Sequence, residues 1–356
     1  MTERAKKLIS SMALSEHEGV LVYNPSNMFY LSGYTGEGLV LITNQVCAIV
    51  TDFRYTEQAE NQSPDFQVHM VGSGRNHETI AGELCRENGV DTLYYEDDYI
   101  TVRTFESCRK NMPGIEWKSV NGAVEKLREI KDENELHLIS EACRITGEAF
   151  ERLLPNIKEG MTEKELALML EFDMLTHGAS GLAFSTIAAA GANGSLPHAV
   201  PGDYKIRRGD MITFDFGAKF GGYCADMTRT VALGNPSDEM RKVYQIVLDA
   251  QMKAQDAVMA GKCCKDIDSI ARDYIYSHGY EGRFGHGLGH AVGIDIHESP
   301  RFSQGCTDIA QVGQVMTVEP GIYLPGIGGV RIENSVIVRE GGCDVLTKPT
   351  RELIIL

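Results

Sequence analysis

Two pairs of carboxylates in the second half of the chain carry the first chemical signal. Met211–Ala218 and Gly222–Ala232 read as strands, and Lys219-Phe220-Gly221-Gly222 is the natural turn between them. A hairpin centred between Phe220 and Gly221 sets Asp215 opposite Asp226, with Asp215 between Phe214 and Phe216 in an apolar strand. Gln314–Tyr323 and Gly329–Val338 repeat the pattern around Leu324-Pro325-Gly326-Ile327-Gly328. Centred on Gly326, that hairpin sets Glu319 opposite Glu333. Like charges directly opposed on a strand pair are destabilising. Two buried carboxylates do not both stay ionised unless a cation compensates. One pair could share a proton, but two pairs point to a dinuclear metal site, where two divalent ions balance four carboxylates. Oxygen ligands with one imidazole suit Mn²⁺, Co²⁺, Fe²⁺ or Zn²⁺. The imidazole belongs to Phe284-Gly285-His286-Gly287-Leu288-Gly289-His290, which is too glycine-rich for a stable helix and reads as extended.

Each residue alone has a plainer reading. A lone Asp in a strand is usually a turn or surface group, and a lone His is more often a satisfied core residue than a ligand. Glu319-Pro320-Gly321 alone is a strand-ending turn, and Glu298, Arg301 and Arg331 alone are solvated charges. Cys263-Cys264 reads as core rather than redox chemistry. Two mirrored carboxylate pairs with a Gly-His segment are what a solvated surface does not explain.

The elements that must position these groups fall in two parts. Residues 1–125 alternate strands and helices: Gly19–Tyr23, a hairpin of Gly38–Thr43 and Val46–Thr51 turning at Asn44-Gln45, a helix over Glu78–Glu87, a strand over Asp91–Tyr95 and a helix over Val102–Lys110. This is a smaller α/β domain with no catalytic cluster of its own. Residues 126–356 form the second domain. Asp132 with Glu135 and Thr162 with Glu165 are capping boxes opening helices over Glu133–Leu153 and Glu163–His177. Ser237 opens a third, to about Ala260, and Asp266 a fourth, stopped by Gly279. Strand segments at 183–190, 211–232, 284–296, 314–323 and 329–338 lie between them, so this part is α+β with paired helices on a mostly antiparallel sheet. Glycine follows the same division: of 37, 25 lie from residue 178 onward, where tight turns and close backbone approaches are needed.

The 356 residues are 43% hydrophobic and 24% charged, a globular composition of about two domains. The net charge of −16 disfavours nucleic-acid or anionic-membrane binding. No apolar run reaches a membrane span, and the N-terminus lacks the apolar core of a signal peptide, so a cytoplasmic location is expected. Nine scattered cysteines with no CxxC read as reduced thiols.

With these segments in view, the chain resembles a known family. FDFGAKFGGYCADMTRT (214–230), GHGLGH (285–290), TVEPG (317–321) and GGVRIEN (328–334) are similar to the signature segments of the pita-bread metallopeptidases. That group includes methionine aminopeptidases, Xaa-Pro aminopeptidases, prolidases and metal-free creatinases. The resemblance covers roughly residues 130–356, and NPSNMFYLSGYTG (24–36) resembles the creatinase-type N-terminal domain, which methionine aminopeptidases lack. It implies a pita-bread catalytic domain with Asp215, Asp226, His290, Glu319 and Glu333 as ligands of two divalent ions, Mn²⁺ or Co²⁺ before Zn²⁺ or Fe²⁺. In the family pattern Asp226 and Glu333 bridge the ions, Asp215 chelates one, and His290 with Glu319 binds the other. The short step of 14 residues from Glu319 to Glu333 resembles prolidases and compact Xaa-Pro peptidases. His198 resembles the residue near the scissile amide or amino end, His297 the one that stabilises the tetrahedral intermediate, and His286 an active-site histidine that is not a ligand. Arg301 and Arg331 resemble substrate-side arginines. The implied activity is hydrolysis of the X–Pro bond after the first residue of a peptide or dipeptide, by a metal-bridging hydroxide with Glu319 as general base and acid. A homodimer is the family expectation. Dipeptidase and aminopeptidase both stay open. The alternatives are a creatinase-like C–N hydrolase, against which the complete ligand set speaks, and a catalytically inactive peptide-binding module on the same fold.

Overall fold

The apolar, β-branched runs of the N-terminal part become a six-stranded mixed sheet in the computed structural model, which describes every residue except Ser73. Its strands are β1 (Glu18–Val22), β2 (Leu39–Thr43), β3 (Cys47–Thr51), β4 (Gln67–Met70), β5 (Thr92–Tyr95) and β6 (Glu116–Ser119), in the order β4-β3-β2-β1-β5-β6. The β2–β3 hairpin turns at Asn44-Gln45 as expected, with Ile42 opposite Cys47. β2 and β3 are buried along their whole length, which is why they read as unbroken apolar runs. Helices α1 (Glu3–Met12), α2 (Pro25–Ser32), α3 (Thr56–Gln62), α4 (His77–Glu87), α5 (Val102–Asn111) and α6 (Ala123–Arg128) complete this unit. It spans Met1–Arg128, and its sheet core includes Leu41, Val50, Leu84 and Leu93.

The second compact unit spans Glu129–Leu356. Both capping boxes form. Asp132 takes the Glu135 N–H at 2.9 Å and Glu135 returns to the Asp132 N–H at 2.9 Å, opening α7 (Glu133–Leu153). Thr162 and Glu165 do the same for α8 (Glu163–Thr176). Ser237 caps α9 (Asp238–Ala257). The fourth helix, α10 (Cys264–Ser277), begins two residues before Asp266. Cys263 occupies the cap without a side-chain bond, and Asp266 sits in the first turn, where its charge complements the helix dipole.

Thirteen short strands follow in this unit: β7 (Gly181–Leu182), β8 (Ile187–Ala190), β9 (Met211–Phe216), β10 (Ala218–Phe220), β11 (Tyr223–Cys224), β12 (Met227–Ala232), β13 (Gly289–Ala291), β14 (Glu298–Phe302), β15 (Val315–Val318), β16 (Gly321–Leu324), β17 (Gly328–Arg331), β18 (Asn334–Arg339) and β19 (Gly342–Val345). They form sheets β11-β10-β7, β12-β9-β8, β14-β13-β15-β18-β19 and β16-β17. Every pairing among these strands is antiparallel. α7 and α8 pack Phe150 and Leu170 against Phe214 and Phe216, while α9 and α10 bury Val247 and Ile275 with Met316 and Val336. The long strands expected at 314–323 and 329–338 are each broken at their glutamate, and 284–296 keeps only the three-residue β13. Pro320 has no N–H to give a ladder, so pairing stops beside Glu319 and resumes in β16.

The first hairpin corrects an expected register. Its turn is centred between Gly221 and Gly222, with Phe220 opposite Tyr223 and Asp215 opposite Thr228 rather than Asp226. Both central glycines have positive φ, 55° and 88°, which a two-residue hairpin turn of the primed kind demands. The shift is two residues, so Asp226 keeps the face it was expected on. The second hairpin has the expected register: Leu324 pairs with Gly328 and Val318 with Asn334, leaving Glu319 and Glu333 facing each other in the gap between two strand pairs. Among the described residues all nine cysteines are free thiols, and no helix is long and apolar enough to cross a membrane.

Candidate metal centre

Asp215 on β9, Asp226 just ahead of β12 and Glu333 between β17 and β18 each offer an oxygen within 4.8 Å of the others. His290 enters from β13. Its Nε2 lies 3.5 Å from Asp226 Oδ2 and 3.3 Å from Glu319 Oε1. The five side chains proposed as ligands from the sequence therefore converge, Asp215 and Asp226 from β9 and the lead into β12, and His290, Glu319 and Glu333 from β13 and the ends of β15 and β18 in a second sheet. His290 Nδ1 is 3.1 Å from the Ala291 carbonyl, which only accepts, so Nδ1 donates there and Nε2 points at the carboxylates.

The charge balance calls for a cation. Asp226 and Glu333 are almost fully buried, and that burial, reinforced by neighbouring carboxylates, pushes both carboxyl groups well above the usual range. Burial also raises Glu319, but the hydrogen bond and charge of His290 outweigh it and hold Glu319 ionised. Asp215 Oδ1 and Glu333 Oε1 are buried with no hydrogen-bond partner. A buried carboxylate oxygen without a donor is strongly unfavourable, and a bound cation removes that penalty. The residues present therefore fit a divalent metal.

Groups behind the carboxylates fix their orientation. Thr228 Oγ1 donates to Glu333 Oε2 at 2.7 Å and accepts from Arg331 Nε at 3.2 Å. Arg331 Nη2 donates to Asp215 Oδ2 at 2.6 Å and Nη1 to the Tyr323 hydroxyl at 2.9 Å. Tyr323 in turn lies 2.8 Å from His286 Nε2, whose Nδ1 faces the Gly287 carbonyl at 2.8 Å. His286 thus donates from Nδ1 and accepts from Tyr323, and burial pushes its pKa down, which suits the neutral ring. Thr317 Oγ1 donates to Glu319 Oε1 at 3.1 Å and accepts the His290 N–H at 3.0 Å. Thr228, Thr317 and Tyr323 escaped the sequence reading. Thr228 and Thr317 lie two residues from Asp226 and Glu319, on the same strand face, which is the only sequence signal they carry.

A cavity of about 610 Å³ opens over the carboxylates. His198, His297 and Arg301 are exposed and line it, with Phe184, Ile187 and Ile296 as an apolar wall. The His297 ring stands edge-on to His290 at 4.4 Å between centroids. Burial, with the charges of His290 and Arg301, lowers the His297 pKa. Arg331, expected on the substrate side, reaches the cavity wall but is 3% exposed, and its donors go to Asp215, Thr228 and Tyr323.

Comparison with known proteins accords with this geometry. Residues 137–340 match metallopeptidase family M24, and residues 4–130 match the creatinase/prolidase N-terminal domain. The chain belongs to metallopeptidase family M24. Its C-terminal unit has the pita-bread fold of that family, and it is a metallo-exopeptidase that works with divalent metal. It is 36% identical over 356 residues to the Xaa-Pro dipeptidase of Pyrococcus furiosus, covering 99% of this chain and 100% of the relative. Among solved structures, the Xaa-Pro dipeptidase from Bacillus anthracis matches with a TM-score of 0.95 at 38% identity, over 99% of both chains. The X-Pro aminopeptidase from Thermotoga maritima matches with a TM-score of 0.93 at 36% identity, over 99% of this chain and all of the other.

Proposed function

We propose that this chain hydrolyses the bond between a free N-terminal residue and a following proline, with the Xaa-Pro dipeptide as its preferred substrate. The observation that carries the reading is the convergence of Asp215, Asp226, His290, Glu319 and Glu333 under a cavity lined by His198, His297 and Arg301. The relatives named for X–Pro cleavage match this chain from end to end, which supports the substrate class. Two divalent ions, Mn²⁺ or Co²⁺ ahead of Zn²⁺ or Fe²⁺, held by the five side chains would supply Lewis acidity and lower the pKa of the attacking water.

The protein's own groups do the rest. Glu319 accepts the proton of that water and delivers it to the departing proline nitrogen. Its ionised state follows from His290, and its Oε1 is fixed by Thr317. His297, at the cavity wall beside His290, donates to the carbonyl oxygen as it becomes an oxyanion. His198, in the cavity lining, contacts the scissile amide, and His286 stays neutral and orients Tyr323. Arg331 holds Asp215 in place. Arg301 is the exposed cation that would take the C-terminal carboxylate of a dipeptide. An X–Pro bond is a tertiary amide with no N–H, so a site that clamps both ends of a dipeptide suits it.

The test offers Ala-Pro, Ala-Pro-Ala and Met-Ala-Ser to metal-stripped protein reloaded with Mn²⁺. Cleavage of Ala-Pro far ahead of the other two is expected. Preference for Ala-Pro-Ala would replace the dipeptidase reading with an Xaa-Pro aminopeptidase. Release of Met alone would remove proline from the assignment, and no metal-dependent cleavage would leave a peptide-binding module.

A further inference from the structure

Glycine at 285, 287 and 289 gives the segment carrying His286 and His290 little stiffness of its own. Phe284–Leu288 lies outside any helix or strand, yet its alternate backbone groups are tied down by one pair of side chains on α10. Arg272 donates from Nη1 to the Phe284 carbonyl at 2.8 Å and from Nη2 to the His286 carbonyl at 2.7 Å. Asp268 Oδ1 accepts the Leu288 N–H at 2.9 Å. The two side chains form a bidentate ion pair one helical turn apart, with Nε–Oδ2 2.7 Å and Nη2–Oδ1 2.8 Å, and both are buried. The Leu288 carbonyl then accepts the Glu319 N–H at 2.8 Å. Asp268 is thus one residue removed from the Glu319 backbone, and Arg272 one bond from His286, which reaches Asp215 through Tyr323 and Arg331.

The geometry points to Asp268 and Arg272 as a positioning pair for the hydrolytic reaction: from outside the site they set the Gly-His segment and the Glu319 backbone. A buried ion pair is weak evidence for stability, because well-packed apolar side chains serve a core as well. Apart from a side-chain bond between Arg272 and Tyr276 on the same helix, the hydrogen bonds of the pair named above go to the segment that bears the site histidines. The inference rests on the Xaa-Pro reading for its kinetic arm but not for its metal arm.

The variants are Asp268→Asn and Asp268→Ala in the full chain, with kcat and KM on Ala-Pro in excess Mn²⁺ and Mn²⁺ affinity by calorimetry on stripped protein. Asn still offers Oδ1 to the Leu288 N–H, whereas Ala offers nothing. Asp268→Ala is expected to lower kcat and Mn²⁺ affinity by about 10–100-fold, the usual loss when an outer-shell partner is removed, and Asp268→Asn to recover most of both. KM should move by less than about threefold, since the lost interaction orients the chemistry rather than the substrate. Equal losses in Asn and Ala, or parental kcat and affinity in folded Asp268→Ala, would overturn the proposal. If Asp268→Ala does not fold, Arg272→Lys decides. It keeps the charge but loses the fork to Phe284 and His286, and unchanged kcat and affinity there would equally overturn it. A parent chain inactive on Ala-Pro would sink the substrate reading, while the Mn²⁺ titration would still report on the pair.

Discussion

Asp215 Oδ1 and Glu333 Oε1 lie buried without a donor, while the second oxygen of each carboxylate is held, by Arg331 and Thr228 respectively. One oxygen is therefore fixed by the protein and the other is left for a cation. This division makes Thr228 informative. Thr228→Val keeps the shape, strips Glu333 Oε2 of its donor and leaves Arg331 Nε without its acceptor. Manganese binding should weaken about tenfold, read by calorimetry on stripped protein. Equal affinity would mean that Glu333 needs no fixing. Glu319→Gln separates ligation from proton transfer. The amide oxygen can still accept from Thr317, but the side chain no longer takes a proton from water. We expect metal still to bind while kcat on Ala-Pro falls by about 10²–10⁴, the usual share of a general base. Turnover close to the parent's would reassign the base.

At the scale of elements, the site depends on strands meeting closely, and Gly289 is where that is tightest. A methyl group there would overlap the Thr317 carbonyl oxygen, a backbone atom that yields only if β13 and β15 part. His290 would then lose its N–H bond to Thr317. Gly289→Ala should cost about 1–3 kcal/mol of stability by overpacking and weaken manganese binding with it. At Gly285 nothing lies within 4 Å of an added methyl, so Gly285→Ala should do neither, as thermal melts and metal titrations of the pair would show. The same contrast explains what was legible in the sequence. The capping boxes at Asp132–Glu135 and Thr162–Glu165 each act across three residues, so their signal is local and both helices start where expected. The register of the first hairpin depends on turn type, and Gly221-Gly222 moved the turn centre by one residue and the pairing partners by two. Asp215 and Asp226 still meet because strand faces repeat every two residues. β14 escaped notice, and the strand expected over 284–296 shrank to the three-residue β13, because their pairing is decided by partners far along the chain, with a bulge between His290 and Ala291. Thr228 and Thr317 look like any strand threonine until the fold shows which carboxylate each one holds.

For the molecule as a whole, every proposed ligand lies in Glu129–Leu356 and none in Met1–Arg128, which has a core of its own. The single tryptophan, Trp117, sits on β6 in the first unit, against Tyr95 and Phe105 at 5.9 and 5.7 Å between ring centroids. Tryptophan fluorescence therefore reports on the first unit, while far-UV circular dichroism reports on both. A metal that binds only folded protein stabilises it by mass action, about 2.7 kcal/mol when free metal is 100 times the dissociation constant. For a domain the size of the second unit, each kcal/mol raises the melting temperature by about 2–4 °C. Reloading stripped protein with Mn²⁺ should thus raise the dichroism transition by about 5–10 °C, increasing with the logarithm of metal concentration. The Trp117 transition should stay where it was. If it rises in step, the two units unfold as one. If neither transition moves, the buried carboxylates must be neutralised by protons rather than by metal, and the orphaned oxygens of Asp215 and Glu333 would need another partner.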